Sequence, residues 1–210
     1  MYNLCARLHN SVAKLERFDH SFEPREIPLN GIYFVFEKEE SGHEVDRIVR
    51  IGTHTGRDNL PHRLEEHFKR ENKDRSIFRK NIGRAILWKS SDSFLVNWNK
   101  DMTSREAKQK YGAFIDPKKQ SQVENKVSSY MKHNLSFAVI PLEEKLKRLE
   151  LEAKMISTVS HCDRCHPSED WLGLYSPVWA IRKSGLWLTQ HLNGSIVTSE
   201  DLDFILSYSK

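Results

Sequence analysis

Apolar residues recur through the first eighteen positions at helical spacing. Leu4, Cys5, Leu8, Val12, Leu15 and Phe18 share one stripe, which predicts a packing helix over 2–18. Pro24 and Pro28 then keep the chain extended. The period changes at Gly31. GIYFVFE (31–37) is dense in aromatic and β-branched residues, and DRIVRIG (46–52) alternates charged with apolar positions. With Ser41-Gly42 between them as a turn signal, these two segments predict an antiparallel hairpin. The helical period then returns. LPHRLEEHFKRE (60–71) places Leu60, Leu64 and Phe68 on one face with Pro61 in its first turn. SIFRKNIGRAILW (76–88) offers Ile77, Ile82, Ala85, Ile86 and Trp88 as its apolar side. The polar stretch 89–120 has no clear period and reads as an insertion. A helix over 119–133, a strand LSFAVIPL (135–142), a helix over 143–160 and a last helix begun by Ser199 and Asp201 complete the order. This succession predicts an α/β (α+β) fold in which a small antiparallel or mixed sheet is covered by helices.

Composition narrows the function classes. A chain of 210 residues suits one domain with an elaborated end. No apolar run approaches the roughly 18 residues that cross a bilayer. The start, MYNLCARLHNSVAKLERF, carries charges inside any apolar segment and does not read as a secretory signal. Three cysteines, an odd number, suit a reducing cytosol better than a disulfide scaffold. The expectation is therefore a cytoplasmic protein that does not bind membranes. Net charge is +4, but between Asp46 and Lys89 there are twelve Lys and Arg against six Asp and Glu. A basic region on a near-neutral body points to a polyanion, nucleic acid first; a solvated charged surface is the plain alternative.

Several residues carry candidate chemistry. Tyr33, on a half-buried strand, reads by itself as packing, and Arg50 as an outward-facing strand residue. Arg63 and His67, four apart on the predicted helix, share a face beside its apolar stripe. Arg suits phosphate through its planar fork, and His can donate to a phosphate oxygen or move a proton near neutral pH. Pairing with Glu66 or Glu71 is the plain alternative. Glu152, with Ile156 one turn on, borders the core, where a carboxylate can hold a hard cation. HCDRCH (161–166) contains Cys162-x-x-Cys165, half of a zinc site with no second half following in sequence. Cys5 or His191 would complete it only through the fold, and otherwise the segment is a loop with free thiols.

Taken together, Gly31-Ile32-Tyr33, Arg50-Ile51-Gly52, Arg63-x-x-x-His67 and Glu152 resemble the GIY-YIG nuclease family. RIGTHT (50–55), SIFRKNIGRAIL (76–87), WLG (171–173) and SGLW (184–187) are similar to its restriction-endonuclease-like branch. The resemblance spans about Gly31 to Leu192, with a divergent stretch around 90–130. It implies a three-stranded, mainly antiparallel sheet flanked by helices. A helical extension (1–28) would precede a nuclease core (29–160), and a C-terminal loop and helices (161–210) would pack on that core. Two positions depart from the family pattern. Arg50 stands where a Tyr is usual, and Gln190 is the nearest amide to a late Asn.

The function implied is a metal-dependent DNA endonuclease, hydrolysing phosphodiesters in restriction fashion, with Mg²⁺ or Mn²⁺ on Glu152 and Glu150 as the fallback ligand. Tyr33 would act as general base. A tyrosine ordinarily titrates near about pH 10, so base work at neutral pH needs a cation beside it, and Arg50 supplies one. Arg63 would neutralise the scissile phosphate, and His67 would bond a phosphate oxygen or the attacking water. His54, Arg79, Lys80 and Arg84 are the candidates for flanking phosphate contacts. Cutting both strands often needs two active sites, which makes a homodimer one expectation. Two other readings stand beside this one: a DNA-binding module of the same fold without catalysis, and a small zinc-containing nucleic-acid or protein interaction domain using Cys162 and Cys165.

Overall fold

The aromatic and β-branched run at Gly31 continues as strand well beyond its densest part. A computed structural model describes residues 2–208, and in it β1 spans Gly31–Gly42 and β2 spans Val45–Gly52. The turn is His43-Glu44, two residues later than the Ser41-Gly42 signal. Both turn residues have positive φ, 57° and 67°, which is the mirror-image geometry that matches the twist of paired strands. Such backbone usually falls to Asn or Gly, and a non-glycine residue held there costs on the order of 1–3 kcal/mol. β3 (Leu135–Pro141) pairs antiparallel with the other edge of β1, giving the order β2-β1-β3. The sheet is thus wholly antiparallel, and helices flank it.

The sheet separates two cores because successive β1 side chains alternate between its faces. Tyr33 and Val35 enter one core with Leu64, Phe68, Phe78 and Trp187. Ile32, Phe34 and Phe36 enter the other with Leu8, Leu151, Met155 and Leu202. Helices α2 (Leu60–Phe68), α3 (Ile77–Lys89) and α6 (Pro117–Asn134) contribute to the first core. Helices α1 (Tyr2–Val12), α7 (Lys145–Ser160) and α9 (Ser199–Leu206) contribute to the second. Among the described residues no helix is long and apolar enough to cross a membrane.

Three expectations change. The first helix stops at Val12, because Phe18 exchanges backbone hydrogen bonds of 2.8 Å in both directions with Phe137 on β3. Ile77 and Trp88 are exposed; Ile82 and Ala85 are buried as expected, joined by Phe78 and Leu87. The polar stretch holds two short helices, Leu95–Trp98 and Arg105–Tyr111, and part of it packs closely on the fold. Trp98 is fully buried and lies against Gly83, where a Cβ would stand 2.3 Å from its ring.

The basic segment is also less exposed than its composition suggests. Arg47 is buried against Glu40, and Lys73 pairs with Asp74 at 2.6 Å. Arg79 is fully buried. Its Nη2 donates to Glu124 Oε2 at 2.9 Å and to Ser128 Oγ at 2.7 Å. Glu124 Oε1 accepts from the Lys73 amide at 2.6 Å. Breaking one side of such a pair leaves a buried charge uncompensated. Glu124→Ala is expected to lower stability by about 3–5 kcal/mol, read as a shift of the urea midpoint; a loss below about 1 kcal/mol would mean that water reaches Arg79.

Candidate active site

Two glycines set how closely the strands approach. A Cβ on Gly31 would stand 2.4 Å from the Ile140 carbonyl oxygen, and one on Gly52 would stand 2.3 Å from the Tyr33 hydroxyl. Tyr33 and Gly52 are direct cross-strand partners. The phenol therefore lies across the space that any other residue at position 52 would fill.

Tyr33 is 1% exposed. Its oxygen lies 2.9 Å from His67 Nε2 and accepts from Arg50 Nε at 3.3 Å. Arg50 faces Val35 across the hairpin. It also donates from Nη1 to the Trp187 carbonyl at 2.5 Å, and its guanidinium stacks over Phe78 at 4.9 Å. The C-terminal segment thus holds this side chain in place. That segment is itself docked on the buried Glu37, which accepts from Trp187 Nε1 at 2.8 Å and Trp171 Nε1 at 3.0 Å.

His67 Nδ1 lies 2.6 Å from Ser76 Oγ. Ser76 is the N-cap of α3 and accepts from the Arg79 amide at 3.2 Å. Directing its one hydroxyl proton at Nδ1 leaves Nε2–H to donate to Tyr33. This tautomer is assigned from the bonding pattern. His67 is fully buried, and its imidazole is held well below its ordinary range, first by burial and then by Arg63, Arg50 and Arg79. It is neutral near pH 7. Both ring nitrogens are engaged inside the protein, Nε2 with Tyr33 and Nδ1 with Ser76.

Glu152 comes from α7. Its Oε1 accepts from the Thr53 amide, just past β2, at 3.0 Å. Thr53 Oγ1 donates to the Gly31 carbonyl at 2.6 Å and accepts from Arg148 Nε at 3.2 Å. One threonine therefore joins the start of β1, the end of β2 and α7. Burial pushes the Glu152 carboxyl up, while Arg50, His191, the Thr53 amide and Arg63 draw it down. Arg50 and Arg63 act on both His67 and Glu152, so these groups share one electropositive region. Arg63, on α2, is held by Glu66 at 2.9 Å and by the Arg75 carbonyl at 2.9 Å, both through Nη1. Among the described residues its other nitrogens make no hydrogen bond.

The other sequence candidates fall elsewhere. Glu150 is half-exposed and pairs with Lys154 at 2.6 Å and Lys147 at 3.7 Å. Arg79 is buried on Glu124 and is unavailable to phosphate. Lys80 is buried beside Asp74 at 3.6 Å, and Arg84 is tied to Asn99 and Asn81. His54 turns inward, with Nδ1 against the Gly56 carbonyl at 2.8 Å. Gln190 is exposed, and the late residue whose charge reaches Glu152 is its neighbour His191. Cys162 and Cys165 lie on the other side of the sheet among the second core. Ser76, Thr53, His191 and the Trp187 carbonyl complete the site without having been singled out for it. Ser76 carries a readable signal as a serine heading a helix. The Thr53 amide on Glu152 and the Trp187 carbonyl on Arg50 are backbone groups that no residue type announces.

A family model described as GIY-YIG domain matches residues 1–207. No curated protein and no solved structure gives a significant match.

The buried imidazole makes stability depend on pH. Unfolded, His67 titrates near about 6.5; folded, well below that. On acidification between those values the unfolded chain binds a proton that the folded chain refuses. His67's contribution to stability is therefore undiminished above about pH 6.5 and is lost as pH falls, with a slope of up to about 1.4 kcal/mol per pH unit. Tyr33, Arg50, Arg63 and Arg79 are the titratable and charged groups that face the ring. His20 and His54, also drawn down, add to the wild-type slope, so the test is a difference. His67→Gln should flatten urea-derived stability between about pH 5 and 6.5 relative to wild type. Parallel profiles would mean that His67 takes up its proton in the folded chain.

Proposed function

The chain belongs to the GIY-YIG domain family, and from that premise we propose that it is a metal-dependent endonuclease hydrolysing DNA phosphodiesters, in the manner of a restriction enzyme. The observation that carries this reading is the Tyr33 oxygen, which accepts from both His67 and Arg50, the arginine whose charge also reaches the Glu152 carboxylate. As general base this oxygen first releases its own proton to solvent; His67 and Arg50 donate to the resulting phenolate and hold its charge, and the phenolate then takes a proton from the attacking water and returns to the neutral phenol.

Arg63 supplies charge to the phosphate as negative charge grows in the transition state. Glu152 is the residue that would hold Mg²⁺ or Mn²⁺. Its fit rests on a carboxylate with one oxygen fixed by Thr53 and, among the described residues, no donor on the other. The bound ion supplies Lewis-acid polarisation of the phosphate and stabilises the leaving 3′ oxygen. His67 and Ser76 orient Tyr33. The catalytic unit is assigned to residues 29–160, with 1–28 and 161–210 as supports. Arg57, before the start of α2, and Arg70 and Arg75, after its end, are exposed and suit backbone phosphates, giving affinity that falls with salt and carries no sequence preference. A homodimer would place two such sites on one duplex.

Supercoiled plasmid incubated with Mg²⁺ or Mn²⁺, and in parallel with EDTA, tests the reading. Cleavage should require the ion. Glu152→Ala and Tyr33→Phe should each slow it by about 10²–10³-fold while leaving the urea midpoint of Glu152→Ala near wild type. DNA binding without cleavage under any divalent ion would reassign the chain as a binding module, and cleavage surviving EDTA would remove Glu152 from its role.

A further inference from the structure

The fold completes the half-site that HCDRCH presents, using partners far away in sequence. Cys5 and His9 are four apart on α1 and share a face. His43 comes from the β1–β2 turn, and Cys165 from the loop after α7. One donor atom from each of these four residues lies within 4.8 Å of all the others. Cys5 Sγ is 3.5 Å from Cys165 Sγ and 3.6 Å from His9 Nδ1, and Cys165 Sγ is 3.8 Å from His9 Nε2. Tetrahedral zinc, with bonds of about 2.3 Å to sulfur and about 2.0–2.1 Å to nitrogen, sets its donors about 3.3–3.8 Å apart. The Cys5–Cys165 sulfur pair and the Cys165 Sγ–His9 Nε2 distance fall in that range, and the remaining donors lie within 4.8 Å. Cys5 and His9 are fully buried, and Cys165 nearly so.

We propose that Cys5, His9, His43 and Cys165 form a structural zinc site that clamps α1, the hairpin turn and the 161–166 loop together. The assignment does not depend on the nuclease reading. A Cys₂His₂ donor set without carboxylates selects zinc over the hard cations that Glu152 suits. His9 Nδ1 lies 3.0 Å from the Cys5 carbonyl, the kind of contact that orients a ligating imidazole and leaves Nε2 as donor. That nitrogen accepts a long bond of 3.2 Å from the Ile48 amide, which the metal would replace. The strained turn gains a reason as well: His43 at φ 57° is held with Nε2 3.4 Å from Cys162 Sγ, next to the cluster. Cys162 is therefore a positioning residue beside the four ligands. The clamp fixes the start of the segment that runs through Trp171 to Trp187, whose carbonyl holds Arg50.

The test uses the full chain produced with zinc in the medium and desalted through EDTA. Elemental analysis should find about one zinc per chain, with the thiols slow to react until the protein is denatured. The cobalt-exchanged protein should show thiolate charge-transfer bands and tetrahedral visible bands. Cys165→Ser should lower bound zinc at least about tenfold, and Cys162→Ser should keep it within about twofold of wild type. Loss in Cys162→Ser with retention in Cys165→Ser would overturn the donor set. Wild-type zinc below about 0.1 per chain, a cobalt form lacking thiolate bands, or a Cys5–Cys165 disulfide found by mass spectrometry would overturn the site. The zinc and cobalt measurements use wild-type protein, so they decide the question even where a cysteine variant fails to fold.

Discussion

The contact between the Tyr33 hydroxyl and the Cα side of Gly52 fixes the rest of the site. A strand pair normally fills the space between facing positions with two side chains. Here one position is empty and the other crosses it. That brings the phenol oxygen to the end of β2, where Arg50 reaches it along the strand and where the next residue, Thr53, turns its amide to Glu152. His67 closes the arrangement from α2. Each partner is in turn fixed by something rigid: Arg50 by the Trp187 carbonyl, His67 by a helix cap, and Glu152 by a backbone amide. Such constraints hold reacting groups within the small tolerances that catalysis demands.

What could be read from the sequence follows from which forces are local. The hairpin, the α2 face and the Glu152 helix were legible because strand propensity and helical spacing act over a few residues. Gly31, Tyr33 and Gly52 stood out only through the resemblance to the GIY-YIG pattern, since by itself Tyr33 reads as packing; the close approach that involves them is a feature of the fold. Burial of charge was not legible. Arg47, Lys73 and Arg79 look like surface cations in a basic segment, yet each is neutralised by an acid, and the acid for Arg79 lies 45 positions away. Apolar spacing also misread α3, where a helix packed on several sides buries Arg79 and leaves Ile77 and Trp88 outside. The turn moved from Ser41-Gly42 to His43-Glu44 against local preference, so tertiary contacts outweigh propensity there.

The two proposed ion sites differ in their donors. Tyr33 and Arg50 lie on one face of the sheet, and Glu152 reaches toward them from α7 past the end of β2, where a hard ion would meet an oxygen donor near arginines. The Cys5, His9, His43 and Cys165 cluster offers sulfur and imidazole beside the second core, where a four-coordinate ion would be closed off from water. Softness of the donors therefore separates the ion proposed for each site.

Arg50 is where the chain departs from its family's usual residue, and its contacts explain how the departure is tolerated. A tyrosine there would offer one hydroxyl at the end of a rigid ring. Arginine offers a longer reach and five donors in a fixed fork. The structure uses two of those donors at once, one on Tyr33 and one on Trp187, and the charge also reaches Glu152 and His67. The positive charge adds to burial and Arg63 in holding the His67 imidazole down, and it draws the Glu152 carboxyl down against its burial. The arginine at this position therefore brings a positive charge into the site, with its guanidinium carbon over the Phe78 ring at 4.9 Å.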